Sequence, residues 1–140
     1  MSIAEIENEI IEEFELFGND WEQKYEHLIE LGRSLPLIAP EYKTDDRLIK
    51  GCQSRVWMRS ELKDGKVHFT ADSDAIITKG MVALMVRVLS DQKPQDIVDA
   101  KLDFIDKIGL KEHLSPTRAN GLVAMIKQMK LDALVLSQKS

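Results

Sequence analysis

The feature that most constrains the fold is a predicted hairpin followed at once by an almost wholly apolar helix. Residues 56–62 and 67–71 alternate between apolar and polar side chains, and Asp64-Gly65 between them is a strong signal for a two-residue turn. The helix predicted at about 75–89 is apolar on nearly every side. Such a helix belongs in the interior of a protein, so the other elements must pack around it.

Helical patterns also flank this central unit. A capping box of Ser2 and Glu5 opens a helix over residues 3–17, and a second helix runs from Asp20 to about Gly32. Shorter helical pieces are predicted over 94–98 and 102–110, and Ser115-Pro116 opens a long final helix. The prolines of 34–54 predict a loop, with 47–50 as a short extended piece. We therefore predict one α+β domain over residues 1–140, with a small antiparallel sheet packed with helices.

The junction between hairpin and helix carries the acidic run Asp72-Ser73-Asp74. Two carboxylates so close together could hold Mg²⁺ or act in acid–base chemistry. An N-cap with acidic charge in the first turn explains them more simply, and we predict that they cap the 75–89 helix.

Composition removes several classes of function. The net charge of −5 and the pI near 5.2 argue against nucleic acid, which needs a clustered basic face. No run approaches the roughly 20 apolar residues of a membrane span, and the N-terminus lacks the basic and apolar regions of a signal peptide. With only one cysteine there is no internal disulfide, which predicts a reducing, cytoplasmic environment.

That cysteine, Cys52, is the main candidate for chemistry. It lies in a proline-broken loop just before the first strand, where Gly51 permits a tight bend. Lys50 and Arg55 bracket it, and nearby positive charge is expected to lower the thiol pKa and raise the fraction of reactive thiolate. The alternative is that Cys52 is a small buried apolar residue with no reactivity.

The count of ligands excludes other uses of Cys52. A thioredoxin-like site requires Cys-x-x-Cys, an iron–sulfur cluster requires several thiolates, and structural zinc requires four Cys or His ligands. The three histidines have no ligand spacing, and surface positions are expected for them. There is no glycine-rich nucleotide loop and no obvious context for a pyridoxal phosphate lysine. We therefore predict no metal and no cofactor.

The final helix raises two further questions. Arg118 falls at its third position, where a cation opposes the helix dipole, so an anion such as Asp74 or the Cys52 sulfur is expected beside it. The alternative is a surface arginine whose stem covers apolar area. Gly121, like Gly80 in the central helix, costs about 1 kcal/mol against alanine in a helix interior. Both positions suggest that another backbone passes close by.

Four stretches in chain order carry a resemblance to one known family. They are Gly51-Cys52-Gln53-Ser54-Arg55-Val56-Trp57, Asp72-Ser73-Asp74-Ala75, Ile77-Thr78-Lys79-Gly80 and His113-Leu114-Ser115-Pro116-Thr117-Arg118-Ala119-Asn120-Gly121-Leu122. With these motifs the chain resembles the SufE family of sulfur acceptors over nearly its whole length. The resemblance implies a SufE/IscU-like fold that binds no cluster itself.

The resemblance also implies a function. SufE proteins take persulfide sulfur from a SufS-type cysteine desulfurase, whose pyridoxal phosphate stays in the partner. They stimulate that enzyme and deliver sulfur to a SufBCD scaffold for iron–sulfur cluster assembly, as accessory proteins rather than stand-alone enzymes. By motif position Cys52 would be the acceptor nucleophile, Gly51, Gln53 and Ser54 would shape its loop, and Asp74 and Arg118 would influence loop mobility and docking.

Three alternatives stay open at this stage. A stand-alone cysteine hydrolase would use a distant base such as His113. A non-catalytic module would regulate a desulfurase with Cys52 only structural. Finally CsdE, a close relative of SufE, pairs with a separate desulfurase, which leaves two partner pathways.

Overall fold

The computed structural model describes residues 1–139 and has the predicted α+β architecture, in which helices pack on a two-stranded antiparallel sheet. The elements in chain order are α1 (Ile3–Glu15), α2 (Trp21–Arg33), β1 (Val56–Lys63), β2 (Lys66–Ser73), α3 (Ile76–Leu89), α4 (Pro94–Asp99), α5 (Phe104–Lys107) and α6 (Pro116–Ser137). Short 3₁₀ helices occupy Pro40–Tyr42, Asp45–Arg47 and Lys111–His113. None of the helices within residues 1–139 is long and apolar enough to cross a membrane.

The hairpin forms as predicted. Lys63 pairs with Lys66 across the turn, and Asp64 and Gly65 both take positive φ angles of 53° and 77°. That backbone matches the right-handed twist of the two strands. On β2 the inward-facing Val67, Phe69 and Ala71 are 0% exposed, so this face of the sheet forms part of the core.

The acidic run at the end of β2 does not cap α3, so that prediction was wrong. β2 continues through Ser73, and α3 starts only at Ile76, with Ala75 at the N-cap position. Asp72 instead pairs with Lys43 at 3.0 Å and with Lys79 at 3.3 Å. Because the strand extends two residues further than its alternation suggests, the carboxylates lie too early to reach the first turn of the helix.

Helix α3 lies at the centre of the fold, packed against β2, α2, α1 and α6. Its closest neighbour is α2. A Cβ added to Gly80 would lie 2.3 Å from the Leu28 carbonyl oxygen, and one added to Gly32 would lie 3.1 Å from the Gly80 nitrogen. The close approach expected at Gly80 is confirmed, and Gly32 supplies the matching small residue on α2.

The proline-rich connection is tied to both strands of the hairpin. Ile38 N donates to Ala71 O at 3.0 Å, and Ala71 N donates to Pro36 O at 3.1 Å, which adds a strand-like edge to β2. Further on, Ile49 N donates to Val56 O at 2.9 Å. Only residues 50–55 are therefore left between the last anchor and β1, and they contain Cys52.

Helix α1 is held to the core partly through charged groups. Arg87 of α3 bonds to Glu9 and Glu13, and His27 Nε2 lies 3.0 Å from Glu13 Oε1. The expectation that His27 is a solvated surface residue was wrong, since its ring packs edge-on against Phe14.

The α2–α3 crossing gives a stability test. Gly80→Ala should lower the free energy of unfolding by more than about 2 kcal/mol, because the new methyl group meets backbone that cannot move aside. The measurement is urea denaturation followed by circular dichroism. Gly121→Ala is the matched control, since Gly121 also lies within a helix and a Cβ there would be 3.5 Å from its nearest neighbour, an ordinary contact. An equal loss in both variants would contradict the close crossing.

Candidate functional site

Cys52 is held between its own loop and the first turns of α6. Gly51 precedes it with a φ of +93°, a left-handed conformation that favours glycine. The Cys52 thiol donates to the Gly121 carbonyl oxygen at 3.5 Å. A Cβ built on Gly121 would lie 3.5 Å from Sγ, an ordinary contact distance. The element that approaches Gly121 is the Cys52 loop, but at an ordinary contact distance, so close backbone packing does not require glycine at this position.

A cavity of about 290 Å³ opens beside this thiol. The loop, the first two turns of α3 and the first turns of α6 form its walls. Its lining residues are Cys52, Gln53, Ser54, Thr78, Met81, Ser115, Thr117, Arg118, Gly121 and Met125. Cys52, Gln53, Ser54 and Arg118 were singled out from the sequence, and the structure brings them together.

Sequence reasoning missed the remaining hydroxyl and methionine residues. Thr78 and Met81 had the sequence character of core residues in a buried helix, and only the packing of the loop over the start of α3 places them at a cavity. The available signal was Thr78 itself, an uncharged polar residue in a mostly apolar helix.

Burial governs the acidity of Cys52 in this state. The thiol is partly buried, and desolvation raises the pKa of Cys52 above its ordinary value. The prediction that Lys50 and Arg55 lower this pKa was wrong for the closed loop, because both side chains are exposed and neither lines the cavity. The resting thiol is accordingly protonated and weakly nucleophilic at neutral pH.

Asp74 fastens the far end of the loop. Its Oδ1 accepts from Arg55 N at 3.1 Å, and its own N–H donates to Arg55 O at 3.3 Å. The carboxylate thus holds the last residue before β1, although Asp74 does not line the cavity. It lies near the Cys52 loop, as the resemblance implies.

Arg118 lies at the rim of the cavity and is exposed. Its backbone N–H is capped by Ser115 Oγ at 3.3 Å. The guanidinium makes no salt bridge within the described residues, so the expected pairing with Asp74 was wrong. Arg118 is thus an exposed positive charge on the rim of the cavity that Cys52 also lines.

His113 is placed away from the thiol. Its ring stacks on Trp21 with centroids 3.8 Å apart, and Nδ1 lies 2.9 Å from Gly109 O. No histidine in residues 1–139 lines the Cys52 cavity. Nor does this part of the chain contain a group of three or more His, Cys, Asp or Glu residues placed to hold a metal ion. The arrangement suits a thiol exchanged with another sulfur, without a neighbouring general base.

Comparison with known proteins assigns the family. A family model for SufE, described as an Fe-S metabolism associated domain, matches residues 8–133. The chain belongs to the SufE family. It is 39% identical over 132 residues to an uncharacterized SufE-like protein of Rhizobium meliloti (strain 1021), covering 90% of this chain and 93% of that one. Membership connects this SufE-family chain with iron–sulfur metabolism.

The fold is shared more widely than the sequence. The solution structure of a hypothetical protein from Thermus thermophilus matches with a TM-score of 0.75 at 20% identity, covering 91% of this chain and 93% of that one. At that identity the likeness concerns the fold alone. It agrees with the α+β architecture predicted from the sequence.

The contact between Gly121 and Cys52 can be tested through thiol reactivity. Gly121→Leu places a side chain where Sγ now lies, which should displace the loop and speed iodoacetamide alkylation at pH 7 about tenfold, the effect of returning the pKa by one unit. Gly121→Ala is the control and should stay close to the native rate, because its methyl group fits. Equal rates in all three proteins would show that Cys52 is not enclosed.

Proposed function

We propose that this SufE-family protein accepts persulfide sulfur from a cysteine desulfurase on Cys52 and passes it to an iron–sulfur scaffold. The observation that carries the proposal is the single cysteine on a glycine-hinged loop, with its thiol turned into a cavity. Membership of a family of iron–sulfur metabolism supplies the context. The cavity side chains provide no general base, which fits a sulfur exchange and disfavours a hydrolase.

The transfer step needs no oxidant or reductant from outside. The Cys52 thiolate attacks the outer sulfur of a persulfide on the cysteine of the desulfurase. A bond forms between Cys52 Sγ and that outer sulfur as the bond to the sulfur of the enzyme cysteine breaks. The electron pair leaves on the enzyme cysteine, which becomes a thiolate and is then free for another turnover. In this way acceptance of the sulfur stimulates the desulfurase.

Enclosure of Cys52 in the cavity would control when the transfer step can occur. In the closed loop the raised pKa keeps the unloaded thiol protonated, which limits its oxidation in free solution. We propose that docking turns the loop outward about Gly51, with Gln53 and Ser54 moving along with it. When the Cys52 thiol leaves the cavity it is no longer desolvated, so its thiolate fraction rises next to the persulfide of the partner.

Two charged residues regulate this movement in the proposal. Asp74 holds the backbone of Arg55 by one bond to its carboxylate and one from its own N–H, and so limits how far the loop opens. The unpaired guanidinium of Arg118 stands beside the opening, where it would meet the partner. The partners are a SufS-like or CsdE-pathway desulfurase carrying pyridoxal phosphate and, for delivery, a SufBCD-type scaffold.

The direct test is intact mass after mixing the protein with a cysteine desulfurase and L-cysteine. The native chain should gain about one sulfur atom, which a thiol reductant removes. Cys52→Ser should gain none, because a hydroxyl does not form the Sγ–S bond. The absence of a gain in the native chain, with a desulfurase shown to bind it, would reject sulfur acceptance. Stimulation by Cys52→Ser equal to that of the native chain would instead favour a purely regulatory module.

Loop opening is tested by amide hydrogen exchange. Residues 50–55 should exchange faster on addition of desulfurase, whereas Ile49, bonded to Val56 O, should stay protected. Asp74→Asn should raise exchange in the same segment without any partner, since its amide is a weaker acceptor for Arg55 N than the carboxylate. Asp64→Asn, at the hairpin turn, is the matched control and should leave the loop unchanged. Exchange in 50–55 that does not change with partner would reject opening.

A further inference from the structure

The cavity beside Cys52 contains a buried hydroxyl that has no partner in the protein. Thr78 is 5% exposed, and within residues 1–139 its side chain makes no hydrogen bond. In that same part of the chain every fully buried side-chain oxygen or nitrogen has a partner. The Thr78 hydroxyl is therefore not sealed in the core, and the space it faces is the cavity that it lines with Cys52.

An unpaired polar group at such a position costs free energy unless something in the cavity bonds to it. Thr78 belongs to the third helical position of α3, so its hydroxyl lies at the start of that helix. Ser115 at the other helix start is already engaged, as the cap of Arg118 N. Thr78 is thus the buried donor available to a group placed next to Sγ.

The helix ends around the cavity favour a negative charge. The first turns of α3 and α6 both contribute lining residues, and neither turn contains an acidic side chain. α3 also begins without a side-chain cap among the described residues, and its first intrahelical bond runs from Lys79 N to Ala75 O at 2.8 Å. The positive ends of two helices therefore meet at the cavity without acidic compensation.

The charged residues around the cavity also favour an anion there. Arg118 is the charged residue that lines the cavity in the described chain, and it has no salt bridge there. Lys50, Arg55 and Asp74 lie on the adjoining segments, all exposed, with Asp74 engaged by Arg55 N. Glu and Asp residues do not appear among the lining side chains. An anion next to Sγ would thus meet one cation, the buried hydroxyl of Thr78, the more exposed hydroxyls of Ser54 and Thr117, and two helix N-termini.

Resting on the function proposed above, we infer that Thr78 binds the outer sulfur of the persulfide on Cys52. The Cys52 thiol now donates to Gly121 O, a carbonyl that offers nothing to an anion. Once Sγ carries the second sulfur, an S–S bond of about 2.0 Å extends into the cavity. The cavity of about 290 Å³ accommodates this sulfur with room to spare. The Thr78 hydroxyl donates to the persulfide anion, and Arg118 and the helix ends balance its charge.

The experiment titrates the persulfide itself. Loaded protein is prepared with a desulfurase and L-cysteine, and the rate at which iodoacetamide alkylates the persulfide is followed by intact mass across a pH series. The rate per loaded molecule is used, so differences in loading do not enter. Thr78→Val should move the midpoint of this profile upward by about one pH unit, as loss of a hydrogen bond to a charged acceptor requires.

Three variants make the result specific to the hydroxyl. Thr78→Ser should restore the native midpoint, and Thr78→Ala, which removes the hydroxyl without adding bulk, should repeat the shift if the valine variant folds poorly. Thr70→Val on β2, outside the cavity, is the matched control and should not move the midpoint. A native midpoint in both Thr78→Val and Thr78→Ala would overturn the role of Thr78. Failure of the native chain to load any sulfur would instead overturn the proposed function.

Discussion

The burial of α3 is the constraint on which the rest of the structure depends. Its side chains are buried on almost every face, so the sheet and three other helices must cover it. Coverage by α2 is so close that a single methyl group at Gly80 would meet the Leu28 carbonyl oxygen. This contact fixes the position of α3, and with it the location of the helix start at which the Cys52 cavity lies.

The cavity is built from segments that are far apart in sequence and have different physical roles. The loop supplies the sulfur and the hinge, α3 supplies an apolar wall with one hydroxyl, and α6 supplies a positive rim. Because the loop is partly enclosed, the environment of the sulfur differs between a closed and an open state. A neutral thiol is favoured in the closed state by desolvation, whereas an anion bound deeper would be favoured by the donors around it. If Cys52 carries sulfur as proposed, the same cavity would favour a neutral empty cysteine and an anionic loaded one.

Local patterns in the sequence predicted the elements well and their junctions poorly. The hairpin turn, the buried helix and the capped final helix depend on spacing and turn chemistry within a few residues, and each is confirmed. The run Asp72-Ser73-Asp74 was misassigned because strand pairing carried β2 past the point where a cap could act. The expected effect of Lys50 and Arg55 on Cys52 failed for a related reason, since closeness along the chain does not place exposed cations near a thiol turned inward. The same contrast holds for the site residues. Cys52 could be predicted because it is the one cysteine of the sequence, whereas Thr78 could not, because only helix packing brings it to the cavity.

The anchoring of the loop separates local exposure of the sulfur from the stability of the whole protein. The bond from Ile49 N to Val56 O fixes the chain just before the segment 50–55. If Cys52 is exposed as proposed, only the contacts of that segment need to break, which costs less free energy than unfolding the sheet and α3. Substitutions in the core would then change global stability, whereas substitutions in the loop would change how often Cys52 is exposed.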